Sequence, residues 1–414
     1  MANLAPHPLR FLIVLCVLIR LSPATAAEQA PLHHQSQTLM VKGKQQNVRI
    51  PLGYRLELLA SGMDRPRMLT FAPNGDLFIG SASGRIYRLA PPYRAVQTWG
   101  KPGGYPHSVA FRDGQILIAR TDGLYSAPYP ARQHKLDGAR LRLLAALPAG
   151  GGHSSRTVAV GPDKRVYLSL GIRGNCDNEY LDASYPFSRR RGGILVLVEQ
   201  GSRRTWQIYA SGLRNPVGFD WHPASQVMYA SNNGPDHRGF EQPPEYFSRV
   251  LPGSFHGMPW FQFDGHKLVR DRCIGATPPR PLAEVSIPVA TFAARNAPMG
   301  VVFVPRGAME PRLEHDAIVA LHGSWATGPG GGFFGAKASR RPPKIVVVRF
   351  LRGRALRVET LISGFQRANG ERWARPVGVA IGADGWLYFS SDHEGGLYRL
   401  KKVPTTRPAT RSVK

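Results

Sequence analysis

Six histidine, arginine and asparagine residues stand before, or at the start of, short apolar segments of this 414-residue chain. They are His107, His153, Arg156, Arg214, Asn215 and Arg375. A neutral imidazole can take a proton near neutral pH, and a guanidinium group pairs with carboxylates through parallel hydrogen bonds. Several cations at one place repel one another unless an anion lies between them. Brought together, these residues predict an anion site beside a histidine base, whereas each alone is more simply explained by a hydrogen bond to a buried carbonyl group.

The segments that follow these residues share one pattern, which occurs six times. Each copy has an alternating apolar run, a turn rich in Pro, Asp, Asn or Gly, and a second apolar run, as in a β-hairpin. The copies are residues 65–81, 105–121, 154–170, 214–231, 297–324 and 375–391. Residues 84–90, 344–350 and 396–402 supply further strands. Helical periodicity is nearly absent, and the 45 Gly and 36 Pro suit short strands joined by tight turns, so the chain is predicted to be all-β.

One hairpin cannot bury both of its faces, but a ring of four-stranded sheets can. The six copies therefore predict an all-β, six-bladed β-propeller over residues 45–402, with the first strand of each blade lining a central channel. The copies are unevenly spaced, which argues against the alternative, an extended β-solenoid. The loops before the inner strands of a propeller meet at one end of the channel, so the six candidate residues are expected to converge there.

Both ends of the chain are predicted to lie outside the propeller. Residues 1–26 contain a basic residue, an apolar run and a small-residue cleavage site at Ala24 to Ala26, which indicate a signal peptide and a periplasmic or secreted protein. Arg20 ends the apolar run short of the roughly 20 residues that a spanning helix needs, so an uncleaved anchor is the weaker alternative. We expect no membrane span elsewhere. Residues 403–414 are predicted to form a basic tail.

The chain carries 54 Lys and Arg against 27 Asp and Glu, a formal charge of +27. Loss of Arg10 and Arg20 with the signal peptide leaves 54 − 2 = 52 basic residues against 27 acidic ones, or +25. Such a surface attracts anions of every kind. The basic runs at 189–191 and 338–344 have the composition of exposed loops rather than of a groove with interleaved aromatic residues, so nucleic acid is not expected as a partner.

Two cysteines, Cys176 and Cys273, remain once Cys16 is removed with the signal peptide. Thiols oxidise in exported proteins, so these two can form a disulfide. The sequence does not show whether their Cα atoms come within bonding distance, and two free thiols are the alternative. We predict the disulfide, which would tie the turn after the third hairpin to the insertion after the fourth.

Three segments resemble the soluble glucose and sorbosone dehydrogenase family that depends on pyrroloquinoline quinone (PQQ). They are HSSRTVAVGPDKRVYLSLG (153–171), GLRNPVGFDWHP (212–223) and NNGPDHRGFEQPPEYFSRVLPGSFHGMPW (232–260). The resemblance covers roughly residues 50–400, and RNPVG is among its most specific parts. It implies a six-bladed propeller that binds PQQ and calcium and oxidises a small sugar or aldehyde.

The resemblance also implies a mechanism. His153 matches the catalytic base, and Arg214 and Asn215 match the pair that contacts quinone and substrate. His153 would take the proton of a substrate hydroxyl or an aldehyde hydrate, while the carbon-bound hydrogen leaves as hydride for a quinone carbonyl polarised by calcium and Arg214.

The remaining matched residues concern binding. Arg375 matches an arginine that pairs with the carboxylates of the cofactor, and Arg156 is a further candidate for cofactor binding. The backbone carbonyls of Gly234 and Pro235 match those that hold calcium. These types suit the ligands, because PQQ is a tricarboxylate and calcium prefers oxygen atoms.

Two positions depart from the glucose-oxidising relatives. Ile172 stands where they have an acidic residue, and HGSW (322–325) occupies the region of their cofactor-binding lysine. These differences favour the sorbosone-type branch, which oxidises an aldose or ketoaldose. Two alternatives belong to other classes: a propeller lactonase, which would need carboxylate ligands for calcium at the channel mouth, and a non-catalytic interaction scaffold. The sequence does not name the substrate, the electron acceptor or the oligomeric state.

Overall fold

The structure is a computed structural model that describes residues 30–130 and 135–403. The predicted signal peptide (1–26) and the tail from residue 404 onward lie outside the described residues. The described chain contains 29 β-strands and five 3-10 helices of three residues each. The helices are Gly138–Arg140, Phe187–Arg189, Leu282–Glu284, Pro311–Leu313 and Lys337–Ser339. Among the described residues, none of the helices has the length and apolar character needed to cross a lipid bilayer.

The strands form six sheets in a ring and two separate hairpins. The first hairpin is β1 (His34–Val41) and β2 (Lys44–Pro51), and β3 is Tyr54–Ala60. Blade 1 contains β4 (Pro66–Phe71), β5 (Leu77–Ser81), β6 (Ile86–Leu89) and β7 (Gln97–Gly100). Blade 2 contains β8 (Ser108–Arg112), β9 (Gln115–Arg120), β10 (Gly123–Pro128) and β11 (Arg142–Ala146). Blade 3 contains β12 (Val158–Val160), β13 (Val166–Leu170), β14 (Gly193–Gln200) and β15 (Arg203–Ser211).

The later blades continue in chain order. Blade 4 begins with β16 (Phe219–Trp221), β17 (Met228–Asn232) and β18 (Glu245–Val250). An insertion follows, in which β19 (Ser254–Phe255) joins the edge of blade 3 and β20 (Phe261–Phe263) pairs with β21 (Leu268–Arg270); β22 (Ala290–Phe292) then completes blade 4. Blade 5 contains β23 (Pro298–Phe303), β24 (Ala317–Leu321), β25 (Lys344–Leu351) and β26 (Arg354–Ile362). Blade 6 contains β27 (Pro376–Ile381), β28 (Leu387–Ser391), β29 (Gly396–Lys402) and β3.

The six predicted hairpins are the first two strands of the six blades. In blade 1 the turn is closed by the Ala72 N–H, which donates to the Asp76 carbonyl at 2.8 Å. Gly75 in this turn has a φ of 84°, a left-handed conformation that glycine adopts without steric cost. Phe71 then pairs with Leu77 in register. The alternation and the turn residues thus specify the same hairpin.

Glycines let the inner strands meet along the axis. A Cβ atom on Gly218 (blade 4) would lie 2.8 Å from the Cα of Gly300 (blade 5), and one on Gly300 would lie 3.1 Å from the Cα of Gly378 (blade 6). A Cβ on Gly378 would in turn lie 2.9 Å from the Cα of Met68 (blade 1). A side chain at any of the three glycines would push neighbouring blades apart. The six-bladed propeller predicted from the repeats is confirmed.

The ring is closed by strands that are far apart in the sequence. β3 pairs antiparallel with β29, so that Tyr54 lies opposite Lys402. The β1–β2 hairpin lies outside the six sheets and is held to the loop after β26, where Arg49 and Ser363 exchange backbone hydrogen bonds of 2.9 and 3.0 Å. The blade strands therefore begin at Tyr54, and the start expected at residue 45 falls within β2.

Candidate active site

His153 lies in the loop that leads into β12, the inner strand of blade 3. Its Nδ1 is 2.5 Å from the carbonyl oxygen of Ile172, which can only accept, so Nδ1 carries the proton and Nε2 keeps a lone pair. Burial, followed by repulsion from the Arg214 guanidinium, lowers the pKa of His153 to about 3. The imidazole is therefore neutral at neutral pH, with an acceptor nitrogen available.

Asn215 and His153 both pack closely against Gly171, the residue directly after β13. A Cβ on Gly171 would lie 2.7 Å from the Asn215 Oδ1 and 2.8 Å from the His153 Cβ. The Asn215 backbone is fixed as well: its N–H donates to Asn232 Oδ1 at 2.9 Å. The loops before the inner strands of blades 3 and 4 thus bring the predicted base and amide together.

Arg214 is buried and almost fully hydrogen-bonded. Its Nη1 donates to the carbonyls of Asn233 and Gly234 at 3.3 and 2.9 Å, and its Nη2 donates to Asn175 Oδ1 at 2.6 Å. The Asp236 carboxylate is 4.0 Å away. The Arg214 Nε is buried without a hydrogen-bond partner among the described residues. A buried N–H group without an acceptor costs free energy, so a bound ligand that supplies an acceptor here would be stabilised.

Arg156, predicted to contact the cofactor, is hydrogen-bonded to the loop that carries His153. Its side chain is fully buried, and it donates to the carbonyls of His153, Ser155 and Pro148 at 2.8, 2.7 and 3.3 Å. Burial lowers the pKa of Arg156 to about 9, so the group is charged at neutral pH. Its Nη1 and Nη2 would have to leave these carbonyls in order to bind a cofactor, whereas its buried Nε has no partner among the described residues. The geometry makes Arg156 a residue that positions the loop of His153.

Gly234 and Pro235, the expected calcium site, follow β17 in blade 4. The Gly234 N–H donates to Glu245 Oε2 at 2.5 Å, and its carbonyl accepts from Arg214 at 2.9 Å. Burial raises the pKa of Glu245 to about 7. The Gly234 carbonyl has a second lone pair, so its bond to Arg214 leaves one position for a cation.

Arg375 directly precedes β27 in blade 6 and belongs to a network that the sequence did not reveal. Its Nη2 donates to His322 Nδ1 at 2.7 Å, and His322 Nε2 donates to Asp392 at 2.9 Å. Arg67 Nη1 also donates to Asp392, at 2.7 Å, and Arg67 Nε donates to the Tyr105 hydroxyl at 2.5 Å. Burial lowers the pKa of His322 to about 4, which fits this neutral, Nε2-protonated form. Blades 5, 6, 1 and 2 are joined by these bonds.

The two groups of polar residues are connected through blade 5. Asn233 Nδ2 donates to the Pro298 carbonyl at 2.8 Å, and the His322 N–H donates to the Ala297 carbonyl at 3.0 Å. On the other side, His107 Nδ1 is 3.2 Å from the Arg156 carbonyl. Hydrogen bonds therefore run round the mouth through all six blades. His107 itself is completely buried, and burial lowers its pKa well below the usual range. Its side chain is therefore a neutral part of the buried core of the ring.

Four residues of the mouth were missed by sequence reasoning. They are Arg67, Tyr105, His322 and Asp392. Arg67 offered one signal, because it directly follows the proline near the repeat start, where two other copies have Val217 and Val377. His322 and Asp392 lie just after second strands of blades, where the hairpin pattern makes no prediction. Their roles follow from contacts between blades.

The disulfide prediction is confirmed. Cys176 and Cys273 are bonded, with Cα atoms 5.7 Å apart across a sequence separation of 97 residues. The bond links the loop after β13 to the insertion between β21 and β22. Asn175, the residue before Cys176, holds Arg214 and also accepts from the Asp236 N–H at 3.0 Å. The disulfide therefore lies directly outside the contacts of a candidate site residue.

The chain belongs to the TrAA12-like family, whose model matches residues 48–242 and 282–403. This result agrees with the resemblance found in the sequence. A protein of Borreliella burgdorferi, described as uncharacterized, is 24% identical over 368 residues, which cover 85% of this chain and 90% of the relative.

Solved structures share the fold. The calcium structure of a Trichoderma reesei carbohydrate-active enzyme of family AA12 is 18% identical, with a TM-score of 0.71 over 85% of this chain and 96% of that one. The holo form of the pyranose dehydrogenase PQQ domain from Coprinopsis cinerea is 20% identical, with a TM-score of 0.67 over 86% and 97% of the two chains. At these identities the likeness is one of fold.

Proposed function

We propose that this protein is a PQQ-dependent oxidoreductase that oxidises a small sugar or aldehyde. The observation that carries the proposal is the pairing of His153, neutral and with Nε2 available, with the adjacent Arg214, whose buried Nε has no partner among the described residues. Membership of the TrAA12-like family and a fold shared with a pyranose dehydrogenase PQQ domain support the same reaction class.

The residues at the mouth suit PQQ. When bound, this tricarboxylate supplies a quinone that accepts hydride from a substrate carbon. Arg214 and Arg375 are the candidates to hold it, because guanidinium groups match carboxylates. Burial lowers the pKa of Arg375, because a buried cation loses its hydration. A bound anion would offset the free energy lost with that hydration. The unpartnered Nε of Arg214 is a buried donor that no described residue uses.

His153 is proposed as the general base. Its Nε2 accepts the proton of a substrate hydroxyl as the carbon-bound hydrogen leaves, and its Nδ1–H stays on the Ile172 carbonyl throughout. Asn215, which packs with His153 against Gly171, is proposed to orient the substrate oxygen. Arg156 keeps the loop in position. These residues bind, orient and remove a proton.

Calcium is proposed at Gly234 and Pro235, by the resemblance and by analogy with the calcium-containing relative. The second lone pair of the Gly234 carbonyl allows it, and a cation there would favour the ionised form of the buried Glu245, which accepts from the Gly234 N–H. A calcium ion next to Arg214 would add to the positive potential, which an anionic cofactor between them would offset.

Export and the sorbosone-type substrate class are also proposed. A disulfide is expected in a periplasmic or secreted protein and is unusual in a reducing compartment, so the Cys176–Cys273 bond supports export. His322 lies in the region of the lysine that glucose-oxidising relatives use, and it is committed to Asp392 and Arg375. This difference supports an aldose or ketoaldose other than glucose as the substrate. The electron acceptor is left open.

Purified protein incubated with PQQ and calcium tests the proposal. We expect the absorption of PQQ to shift on binding and an artificial dye to be reduced on addition of aldoses or aldehydes. If PQQ does not bind, the oxidoreductase proposal fails. If it binds but no member of the substrate panel is oxidised, the scaffold alternative is favoured. A calcium-dependent lactonase could not use Asp392 as a free ligand, because its carboxylate at the mouth is paired with Arg67 and His322.

A further inference from the structure

A cluster of metal-ligating side chains lies outside the mouth. Among the described residues, Cys176, His237 and Cys273 offer one ligand atom each, all within 4.8 Å of one another. The His237 Nδ1 is 3.6 Å from the Cys176 Sγ. In the oxidised protein the two sulfur atoms are bonded to each other. Reduction would free two thiols beside an imidazole.

The distances fit a tetrahedral zinc ion. Zinc binds thiolate sulfur at about 2.3 Å and imidazole nitrogen at about 2.0 to 2.1 Å, which places sulfur and nitrogen ligands about 3.5 to 3.6 Å apart in a tetrahedral site. The separation between Cys176 Sγ and His237 Nδ1 therefore already has the required value. Two thiolates on one zinc ion are about 3.8 Å apart, a separation the sulfurs can reach once their covalent bond is broken.

Asp271 prepares the imidazole for this role. The His237 Nε2 is 3.0 and 3.1 Å from the two carboxylate oxygens of Asp271, whose side chain is 3% exposed. A carboxylate only accepts, so the proton is on Nε2, and the Nδ1 lone pair faces Cys176. Asp271 also accepts from the Cys273 N–H at 3.0 Å. Histidine ligands of metals commonly have such a carboxylate on their other nitrogen.

We propose that reduction of the Cys176–Cys273 disulfide creates a zinc site formed by both thiolates and His237 Nδ1. A phosphine reductant and water convert the disulfide into two thiols, and the phosphine becomes a phosphine oxide. Zn²⁺ then displaces the two thiol protons and binds the neutral imidazole. Cys273 and His237 are exposed, so water can occupy the fourth position.

The site would hold the same two loops as the disulfide. Asn175 precedes Cys176, Asp236 precedes His237, and the Asp236 N–H donates to Asn175 beside Arg214. Zinc would thus preserve the surroundings of Arg214 when the disulfide is reduced. Asp271 and Cys273 lie in residues 243–281, outside the ranges matched by the family model, so half of the cluster belongs to an insertion of this chain.

Cobalt titration of the reduced full-length protein tests this proposal. Co²⁺ replaces Zn²⁺ in tetrahedral thiolate sites and gives sulfur-to-metal charge-transfer absorption in the near ultraviolet. We expect one Co²⁺ per chain, displaced by one equivalent of Zn²⁺, and no such band in the oxidised protein. The Asp271→Asn variant should bind Co²⁺ about 10- to 100-fold more weakly. His237→Ala should weaken binding at least as much, whereas His266→Ala, which removes an exposed histidine of the same insertion, should have no effect.

Absence of the charge-transfer band in reduced wild type, or equal affinities in wild type and His237→Ala, would overturn the proposal. Near-ultraviolet circular dichroism shows whether the reduced chain stays folded. If it unfolds, the protein is refolded in the presence of phosphine with and without Zn²⁺. Recovery of the native spectrum that requires Zn²⁺ and His237 supports the site, and failure to recover contradicts it. Neither readout depends on PQQ or on activity.

Discussion

The Nδ1 of His153 donates to the backbone carbonyl of Ile172, 2.5 Å away. Because this acceptor is part of the backbone, the imidazole is oriented whatever side chain residue 172 carries. Ile172 is buried at 1% exposure, so its side chain belongs to the core. The departure from glucose-oxidising relatives at this position therefore leaves the orientation of His153 unchanged.

We expect His153→Gln to keep the fold and PQQ affinity but to slow turnover by about 10²- to 10⁴-fold, the usual contribution of a positioned general base. Dye-linked kinetics, a PQQ titration and the melting temperature measure the three quantities. Ser154→Ala is the matched control, because Ser154 donates only to the Gly152 carbonyl and should change none of them. If His153 merely satisfied a buried carbonyl, the glutamine variant would lose about 1 to 3 kcal/mol of stability and keep its turnover.

The depressed pKa of His153 predicts a specific pH dependence. Burial and Arg214 lower this pKa from 6.5 to about 3, so the folded chain stays unprotonated where the unfolded chain binds a proton. Between these values the contribution of His153 to the free energy of unfolding falls as pH falls, by about 1.4 kcal/mol per pH unit. The stability difference between wild type and His153→Gln should change with this slope below pH 6.5. A difference independent of pH from 7 to 4 would contradict the assignment, as would an NMR titration with a midpoint near 6.5.

Arg156→Lys should destabilise the protein and impair turnover together. A single ammonium group cannot reproduce the fork that donates to the carbonyls of His153, Ser155 and Pro148. We expect a loss of about 2 to 4 kcal/mol in the free energy of unfolding. Arg165→Lys is the control in the same blade, since the Arg165 side chain is 50% exposed. A variant of Arg156 with normal stability and greatly weakened PQQ binding would instead favour direct contact with the cofactor.

Removal of residues 403–414 should leave PQQ affinity nearly unchanged. Solvated charges farther away than a Debye length of about 8 Å are screened at physiological salt. Arg375→Gln, which removes a cation of the mouth, should weaken PQQ binding in the same titration. A large loss of affinity on truncation, with little effect of Arg375→Gln, would place the site elsewhere.

The double variant Cys176→Ser/Cys273→Ser should lose about 4 to 5 kcal/mol of stability in the chain-entropy model, since the bond closes a loop of nearly a hundred residues. Denaturant unfolding measures this loss, and mass spectrometry of the non-reduced mature protein tests the bond itself. Two free thiols in that protein would refute the pairing.

The hairpins were predictable because strand, turn and burial repeat locally. Residues 65–81 contain their alternation and their Asn-Gly turn within one short segment, and the structure reproduces both. The β1–β2 hairpin and the strands β19 to β21 inside the expected insertion were not predicted, since neither repeats the pattern. Their positions depend on contacts with distant residues such as Ser363.

The candidate site was predictable in part for the same reason. Repeats placed His153, Arg214 and Arg375 before inner strands, and the propeller topology brought these strand ends to one mouth. The sequence could not show that Arg156 would turn inward onto three carbonyls, because this depends on how the loop at Pro148 folds back. It also could not reveal Asp392, whose partners come from two other blades.

Closure of blade 6 by β3 has a consequence for the order of synthesis. Tyr54–Ala60 emerges from the ribosome early, but its partner Gly396–Lys402 is made more than three hundred residues later. Until then the edge of β3 that pairs with β29 has no partner strand, and Arg67 has no Asp392 to bind. An interrupted chain that stops before residue 392 lacks both the closing strand and this contact. Translation must therefore run almost to the end before the mouth of the channel can assemble, so incomplete products do not carry a finished site.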